Sequence, residues 1–302
     1  MERQRKAVIL GLLTVLLWST VASAFKLSLA AMTPVQLLFY ASLVSILVLG
    51  SVLALQGRFS ELWRYSRRQY LQSLGLGLMN PCLYYLVLFG AYNRLPAQEA
   101  QPLNYTWALT LTYLSVPLLK QRLRPLDVIA GLVCYLGVVV IASRGDLLSL
   151  HFADTTGVVL ALSSTLIWAL YWIANTRDRR DPVAGLLLNF LFGLPFIALI
   201  CGFTDGFGVA RASGLIGAAY VGVFEMGISY VLWLNAMKLA DNTATISNFI
   251  FISPFLSLIF IHYLVGEKIL PATYVGLVLI VAGLVLQRIK RPALRRRPVS
   301  ES

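Results

Sequence analysis

The sequence predicts an all-α polytopic membrane protein of ten transmembrane helices, built as two inverted repeats of five helices. Three observations predict this fold: apolar stretches recur along all 302 residues, basic residues gather in alternate loops, and the two halves of the chain resemble each other. Hydrophobic residues make up 58% of the chain and charged residues only 13%, against roughly 25% charged residues in soluble domains. A chain of this composition cannot cover itself with a polar surface, which excludes a soluble globular fold.

The apolar stretches set the number of spans, because a helix needs about 20 mainly apolar residues to cross a bilayer. The ten predicted spans, numbered in chain order, are Ala7 to Phe25, Pro34 to Leu55, Leu71 to Tyr92, Ala97 to Leu119, Leu126 to Ala142, Thr156 to Ile173, Val183 to Phe203, Leu215 to Met237, Thr243 to Leu264 and Ala272 to Leu286.

The distribution of Lys and Arg predicts that both termini lie in the cytoplasm, because cytoplasmic loops carry the excess of basic residues. In this orientation 20 of the 25 basic residues are cytoplasmic, and 5 lie on the opposite side. The five exceptions are Lys26, Arg94, Arg144, Arg211 and Lys268. The net charge of +12 then reflects topology, so we expect membrane lipids as partners, touched also by the basic C-terminal run, and no nucleic acid.

The N-terminus allows a second interpretation. Its basic start, apolar stretch and Ala22-Ser23-Ala24 have the layout of a cleaved signal peptide. Cleavage would leave nine spans.

A weak internal repeat favours the retention of the first span. At an offset of 144, matching residues are Leu95, Ala100 and Asn104 in the first half and Leu239, Ala244 and Asn248 in the second. At 146, residues 121–125 match 267–271 and Gly137 matches Gly283, while Trp18 finds a counterpart in Trp168. Within a single membrane domain, 1–302, repeat one then covers about 1–150 and repeat two about 151–302. Five spans each make the repeats inverted, as in many secondary transporters, although a duplication can also give only a stable bundle.

Glu225 is the first functional candidate, because a charge at the bilayer centre costs at least about 2.5 kcal/mol and marks functional sites. It lies near the middle of the eighth span, and helical spacing places Gly222, Ser229 and Trp233 on the same face. Low dielectric disfavours the charged carboxylate, so Glu225 is expected to release a proton and bind a substrate ammonium group or a coupling cation. The alternative is a protonated side chain that packs against a neighbouring helix.

The fourth span carries the other polar candidates. Glu99 lies near the outer end of this span. It is interpreted either as a coupling residue or as a solvated charge at a helix end. A polar stripe on a transmembrane helix faces protein or water rather than lipid, so it lines a cavity or binds other helices. The stripe contains Gln98, Gln101, Asn104, Tyr105 and Thr112, and the ninth span matches it with Thr245 and Asn248.

Aromatic residues and a proline complete the predicted binding site. Trp168 and Tyr171 share a face of the sixth span, and the repeat relates Trp168 to Trp18. Indole rings bind aromatic or cationic solutes, although Trp and Tyr also populate membrane interfaces. In the third span Asn80-Pro81 predicts a helix break, with Tyr84 on the face of Asn80.

Signals of catalysis are absent from the sequence. It contains no nucleophile elbow, phosphate-binding loop or paired acids at hydrolase spacing. Cys82, Cys134 and Cys201 all lie inside spans without metal-ligand spacing, and His151 and His262 lack partner ligands. We therefore expect no enzyme, no metal and no cofactor.

Several motifs resemble the drug/metabolite transporter superfamily in its ten-helix EamA-type branch. They are Leu17-Trp18-Ser19-Thr20, Ile167-Trp168-Ala169, Pro254-Phe255-Leu256-Ser257, Gly266-Glu267-Lys268-Ile269 and the stretch from Gly276 to Gly283. Glu99 followed by Asn104-Tyr105-Thr106-Trp107 is similar to the exporters of aromatic amino acids. Two departures are Ala108, where those exporters tend to have proline, and Gln121-Arg122, where many members have Gly-Glu.

The resemblance implies an exporter of small metabolites in the bacterial inner membrane. We expect a small-molecule substrate and a monomer or homodimer. We expect amino acids or related amphipathic solutes to be carried by alternating access, with proton coupling through Glu225. The alternatives are an exporter of multiple drugs or quaternary cations, and a lipid-handling membrane protein.

Overall fold

The structure is a computed structural model that describes residues 2–120, 123–147, 154–175, 177–209, 211–241, 246 and 248–288. The described residues form helices joined by short connections and contain no strand, which confirms the all-α class for this part of the chain. The helices are α1 (Glu2–Leu29), α2 (Pro34–Leu55), α3 (Arg67–Gly77), α4 (Tyr84–Arg94), α5 (Ala97–Tyr105), α6 (Trp107–Leu119), α7 (Pro125–Ala142), α8 (Thr155–Asn175), α9 (Pro182–Thr204), α10 (Ala212–Tyr220), α11 (Ile228–Leu239), α12 (Ser253–Phe260) and α13 (Pro271–Arg288).

Eight helical segments of the described chain are long and apolar enough to cross a membrane. Two of them, 67–94 and 212–239, combine two helices each. The two other predicted spans consist of shorter helices: α5 and α6 meet at Thr106, and Phe249–Val265 contains a 3₁₀ turn, α12 and a π-helical turn. These helices agree with a polytopic membrane protein, and the count of ten spans stays a prediction.

Local sequence explains where several helices begin and end. Thr33 precedes α2, and its hydroxyl and amide exchange hydrogen bonds of 3.3 and 3.2 Å with Gln36. The Asp181 carboxylate accepts bonds from the first amides of α9, at Val183 (3.0 Å) and Ala184 (3.1 Å). Gly266, with φ of 80°, ends the segment that contains α12.

The two long segments 67–94 and 212–239 are interrupted near their midpoints. Asn80 has non-helical angles (φ −143°, ψ 116°) between α3 and α4, which confirms the predicted break, and the Asn80–Pro81 peptide bond is cis. A second break, at Gly227 (φ −116°, ψ −96°), follows a π-helical turn between α10 and α11. Side chains larger than that of glycine do not fit there, since a Cβ on Gly227 would lie 2.8 Å from the carbonyl oxygen of Gly222.

The helices form two groups that face each other. In the α1 group, α1 packs against α10, α11 and α12; in the α8 group, α8 packs against α3, α4, α5 and α6. Helices α2 and α9 contact each other as well as members of both groups, α2 with α10 and α9 with α3. The two groups meet where α1 contacts α4 and α5.

Helices α7 and α13 pair closely through small residues. A Cβ on Gly137 would lie 2.5 Å from the carbonyl oxygen of Gly276, and a Cβ on Gly283 would lie 2.6 Å from that of Ala130. The paired positions rise along one helix as they fall along the other, so the two helices are antiparallel.

Contacts between helix termini define the two ends of the bundle. One end, here named the Glu267 end, contains Lys26, Glu99, Arg144 and Glu267. The opposite end, named the Arg288 end, contains the connection that carries Arg180, beside α3, and the start of α7, where Arg124 contacts α13.

Candidate functional site

A cavity of about 420 Å³ lies between the α1 group and the α8 group, and its lining extends into α13. The structure brings nine of the residues predicted from the sequence into its wall. They are Trp18, Asn80, Tyr84, Gln101, Asn104, Tyr105, Trp168, Glu225 and Trp233. Most of the wall is aromatic and aliphatic with a few polar groups, which is typical of sites for small amphipathic ligands.

Aromatic rings from both groups form the sides of the cavity. In the α1 group, the centroids of Trp18 and Trp233 lie 5.3 Å apart. In the α8 group, Trp168 stacks on Tyr84 at 4.4 Å and 25° and contacts Trp107 edge to face at 6.5 Å. These rings offer flat apolar faces, which attract aromatic groups and cations.

Glu225 is the only acidic residue among the described residues of the wall. The break between α10 and α11 places it in the α1 group, and the Tyr85 hydroxyl, from α4 in the α8 group, donates to its Oε1 at 3.1 Å. The predicted intramembrane carboxyl therefore lies in the cavity, where the two groups meet.

Unpartnered polar atoms divide the wall into two regions. Asn80 and Gln101 are 3% and 5% exposed, and Asn80 Oδ1 and Gln101 Oε1 have no partner among the described protein atoms. Nearer the Arg288 end, the unpartnered atoms are donors, Trp172 Nε1 and Gln287 Nε2. The unpartnered acceptors and the unpartnered donors thus occupy different parts of the wall, with the donors nearer the Arg288 end.

Arg288 is the only basic residue among the described residues of the wall. Its guanidinium lies 4.6 Å from the ring centroid of Phe251 and donates to Asn248. Both contacts hold the cation at the end of α13, beside Gln287.

The Asn104 amide has a defined role in the wall, because it donates to Ser164 at 2.9 Å and so joins α5 to α8. Tyr105, one residue further, also lines the cavity, as the predicted polar stripe of the fourth span suggests. Gln98 of the same stripe instead lies at the Glu267 end, where its amide nitrogen donates to the Lys268 carbonyl at 3.0 Å.

Five predicted site residues are not among the described residues of the wall. Tyr171 lies behind Trp168, with ring centroids 5.5 Å apart. Ser229 is fully buried and donates to the Phe224 carbonyl. Asn248 contacts Arg288 from outside the wall, and Thr245 lies outside the described residues.

Glu99 is the fifth of these residues. It is 1% exposed and accepts a hydrogen bond of 2.7 Å from Arg144 at the Glu267 end. The structure therefore separates the two carboxyl groups that the sequence singled out, and only Glu225 faces the cavity.

Sequence reasoning missed several wall residues. Tyr85 follows the predicted Tyr84 directly, and both tyrosines line the cavity at the start of α4, just after the break at Asn80. The tenth predicted span ends at Leu286, which leaves Gln287 outside it and Arg288 only as one of the cytoplasmic basic residues. The sequence feature that could have identified them is this pair of polar residues directly after the tenth predicted span, which the repeat aligns with the fifth.

No metal site is suggested by the described part of the chain, in which no three or more His, Cys, Asp or Glu side chains are grouped as ligands. The cavity wall offers one carboxylate, amides, hydroxyls and rings, which fit an organic solute.

Comparisons with known proteins agree with these features. The family model described as the EamA-like transporter family matches residues 5–143 and 155–288. An uncharacterized transporter of Archaeoglobus fulgidus is 27% identical over 295 residues, which cover 95% of this chain and 98% of that protein. The aromatic amino acid exporter YddG of Ancylobacter novellus is 26% identical over 241 residues, covering 78% of this chain and 80% of the exporter.

A solved crystal structure also resembles this fold. The two chains are 25% identical and superpose with a TM-score of 0.65 over 94% of this chain and 97% of the other. The likeness therefore extends over almost all of both molecules.

Proposed function

Because the chain belongs to the EamA-like transporter family, as its sequence motifs predicted, we propose that it exports small amphipathic solutes, amino acids or related compounds, by alternating access. One observation carries this proposal: nine predicted residues line a single cavity, whose only described acid, Glu225, lies where two helix groups meet. The exporter of aromatic amino acids among the relatives supports the direction and the solute class.

The inverted repeat is part of the proposal and is supported by paired contacts. At the offset of 146, Ala130 corresponds to Gly276 and Gly137 to Gly283. The contact of Gly137 with Gly276 therefore has as its counterpart the contact of Gly283 with Ala130, and both are present in the antiparallel pair α7 and α13. A twofold relation between the halves accounts for both contacts.

The helix breaks support the same repeat. Asn80, at the first break, corresponds at offset 146 to Met226, which directly precedes the break at Gly227. Interrupted helices in matching positions of two halves are typical of transporters, in which they surround the substrate site at the midplane. Both breaks contribute wall residues to the cavity.

The two groups also correspond under the repeat, which suggests the moving parts. The α1 group contains the first, eighth and ninth predicted spans, and the α8 group contains their counterparts, the sixth, third and fourth. Rocking of one group against the other would expose the cavity at one end and then at the other.

We assign the Arg288 end to the cytoplasm and the Glu267 end to the outside of the inner membrane. The five basic residues of this end, Lys26, Arg94, Arg144, Arg211 and Lys268, are all described and lie in loops or near helix ends. The charge distribution of the sequence then assigns the remaining 20 basic residues to the cytoplasmic side. The termini are then cytoplasmic.

The polarity of the wall supports a zwitterionic solute in one orientation. Glu225, Asn80 and Gln101 present acceptors that suit an ammonium group. Trp172, Gln287 and Arg288 present donors that suit a carboxylate nearer the cytoplasm. The rings between them suit an apolar side chain.

A flux panel tests the proposal. The purified chain in proteoliposomes is expected to carry at least one radiolabelled amino acid of a panel that also contains decarboxylated and N-acylated analogues. A zwitterion requirement predicts that both kinds of analogue move at least tenfold more slowly. Absence of any flux dependent on the protein, for all members of the panel, would refute the assignment.

A second candidate is export of lipophilic or quaternary cations. It is favoured by the five tryptophans in the wall together with a carboxylate and few other charges, since indole faces bind cations. Competition experiments separate the two functions. In a cation exporter, amino acids do not inhibit the flux of a labelled cation. In an amino acid exporter, only other zwitterions inhibit the flux of a labelled amino acid.

A further inference from the structure

Lys26 of α1, and Glu267 just after the segment that contains α12, hold the corner between α4 and α5, which belongs to the α8 group. The Glu267 carboxylate accepts hydrogen bonds from the amides of Ala97 (2.7 Å) and Gln98 (3.1 Å) at the start of α5. The Lys26 ammonium donates to the carbonyls of Tyr92 (2.9 Å) and Leu95 (2.8 Å) at the end of α4. We name these four contacts the corner clamp.

The corner clamp matches the electrostatics of the two helix ends. Amides at the start of a helix carry partial positive charge, and carbonyls at its end carry partial negative charge. The residue before α5 is Pro96, which has no side-chain acceptor to cap the first amides. Glu267 supplies that cap from another part of the chain, and Lys26 supplies the opposite charge at the end of α4.

Further contacts close the same end. The Gln98 Oε1 accepts from the Leu270 amide at 2.8 Å and from the Thr273 hydroxyl at 3.1 Å, which ties α5 to α13. On the cavity side of the corner clamp, the Phe25 ring contacts Phe89 at 4.8 Å and Tyr92 at 5.2 Å. Phe25 and Tyr92 belong to the cavity wall, so this ring cluster separates the cavity from the Glu267 end.

We propose that the corner clamp is the gate of the transport pathway at the Glu267 end, and that Glu267 and Lys26 are the residues that keep it closed. This proposal rests on the alternating access proposed above. Lys26 joins α1 to the α8 group, and Glu267 joins to it the connection after the segment of α12, whose last turn packs against α1 and α12. Rocking apart of the two groups must therefore break these contacts. Charge-assisted bonds made in only one of two states shift the population toward that state.

The proposal predicts which state a neutral variant favours. Glu267→Gln keeps the size of the side chain and removes its charge, so the closed state loses stability. The open state loses little, because water rather than residue 267 then binds the first amides of α5. Bonds to charged groups exceed neutral bonds enough that we expect a shift of the open population by about tenfold. The cavity should then become reachable from the Glu267 end.

Thiol labelling measures this accessibility without any solute. Leu88 lines the cavity near the ring cluster and is 2% exposed. In a background with Cys82, Cys134 and Cys201 replaced by alanine, Leu88→Cys is treated with a membrane-impermeant maleimide in right-side-out vesicles. Glu267→Gln is expected to raise the labelling rate about tenfold, and Lys26→Met to raise it in the same direction.

The matched control is Asp205→Asn. Asp205 is also a carboxylate at the Glu267 end, where it accepts a bond of 2.9 Å from the Thr33 hydroxyl, but it joins the ends of α2 and α9 rather than the two groups. This variant should leave the labelling rate within twofold of the background. If folded Glu267→Gln behaves in the same way, the gate assignment is overturned.

Two further outcomes are decisive. If Glu267→Gln does not yield folded protein, Lys26→Met carries the test, and an unchanged labelling rate there overturns the proposal. Labelling needs no transported solute, so a protein without flux in the panel can still show the gate. Normal flux with unchanged labelling in both variants overturns the gate alone and leaves the proposed function standing.

Discussion

Tyr85 and Glu225 form a hydrogen bond of 3.1 Å between the two helix groups, although 140 positions separate them in the chain. Tyr85 is 4% exposed and belongs to α4. Glu225 ends the π-helical turn that follows α10. Under the proposed mechanism, separation of the two helix groups would remove the Tyr85 hydroxyl from Glu225. The hydrogen bonding of this carboxyl group is therefore coupled to the relative position of the two helix groups.

The first prediction concerns the charge of Glu225. Glu225→Gln keeps a hydrogen-bond acceptor for Tyr85 and removes the carboxylate, so we expect the flux of the carried solute to fall at least tenfold. Initial rates in proteoliposomes at several internal and external pH values measure the effect. If Glu225 couples protons, the variant also loses the dependence of flux on the pH gradient.

Glu61→Gln is the control for this variant. Glu61 lies in the 3₁₀ turn Phe59–Trp63 and pairs with Arg58 at 2.8 Å, away from the cavity. It should transport at the normal rate. Flux that is equal for Glu225→Gln and the unmodified protein would exclude the proposed role of the carboxylate and favour packing.

The second prediction concerns the aromatic wall. Trp168→Ala removes the ring that stacks on Tyr84 at 4.4 Å, so solutes with aromatic side chains should bind more weakly. A stacking pair contributes about 0.5 to 1.5 kcal/mol, which corresponds to about a twofold to tenfold rise in Kd. Quenching of the remaining tryptophan fluorescence by titrated solute measures the Kd.

Comparison with Trp63→Ala controls for the loss of a tryptophan. Trp63 is 78% exposed and lies outside the cavity, so its loss should not change the Kd. Trp168→Ala should also affect solutes without rings less than it affects ring-bearing solutes. An equal loss for both solute classes would mean that Trp168 only supports the fold.

The sequence predicted the break at Asn80 and the position of Glu225, because proline and an intramembrane acid are strong local signals. It did not predict the break at Gly227. The helical spacing from Glu225 to Ser229 assumed 3.6 residues per turn, whereas the π-helical turn Val221–Glu225 and Gly227 change that spacing. Ser229 therefore bonds to the backbone, while Trp233, further along, still reaches the cavity.

Tertiary contacts decide such breaks, and a single sequence does not display them. A Cβ on Gly222 would lie 2.5 Å from the Ala41 carbonyl oxygen of α2, so the position of α2 shapes this turn. Asn248 shows the same limit in the ninth predicted span. The 3₁₀ turn Phe249–Ile252 has three residues per turn, and Ile250 and Phe251 line the cavity in place of Asn248.

The third prediction concerns the glycine contact between α7 and α13. Gly137→Ala places a methyl group 2.5 Å from the Gly276 carbonyl oxygen, closer than any ordinary contact. Because backbone atoms cannot move aside without separating the helices, we expect a loss of about 1 to 3 kcal/mol in the free energy of unfolding. The apparent melting temperature in detergent should fall accordingly.

Gly75→Ala is the matched control, since a Cβ at Gly75 in α3 would meet no atom within 4 Å. Alanine is the better helix former, so this variant should be as stable as the unmodified protein or slightly more stable. Equal melting temperatures for both variants would show that α7 and α13 do not pack as closely as the structure indicates.

The fourth prediction concerns the buried ion pair at the Arg288 end. The side chains of Arg180 and Asp178 are 1% and 9% exposed, with Nη2 and Oδ2 2.6 Å apart, and Arg180 Nη1 also donates to Ser73 at 2.5 Å. Arg180→Met leaves the Asp178 carboxylate buried without its partner, which costs about 3 to 5 kcal/mol of stability. Arg94→Met, which opens the more exposed pair with Asp154, should cost about 0 to 1 kcal/mol.

Acid pH provides an independent check on this pair. Burial disfavours the charged form of Asp178, but the hydrogen bonds from Arg180 outweigh it and hold the pKa of the carboxyl below its usual value. The stabilisation is therefore complete above the pKa of an unfolded Asp, about 3.9, and is lost as the pH falls through the lower pKa of the folded protein. The difference in melting temperature between Arg180→Met and the unmodified protein should shrink over that range, and a difference that stays constant on acidification would place the effect of Arg180 in its packing rather than in its charge.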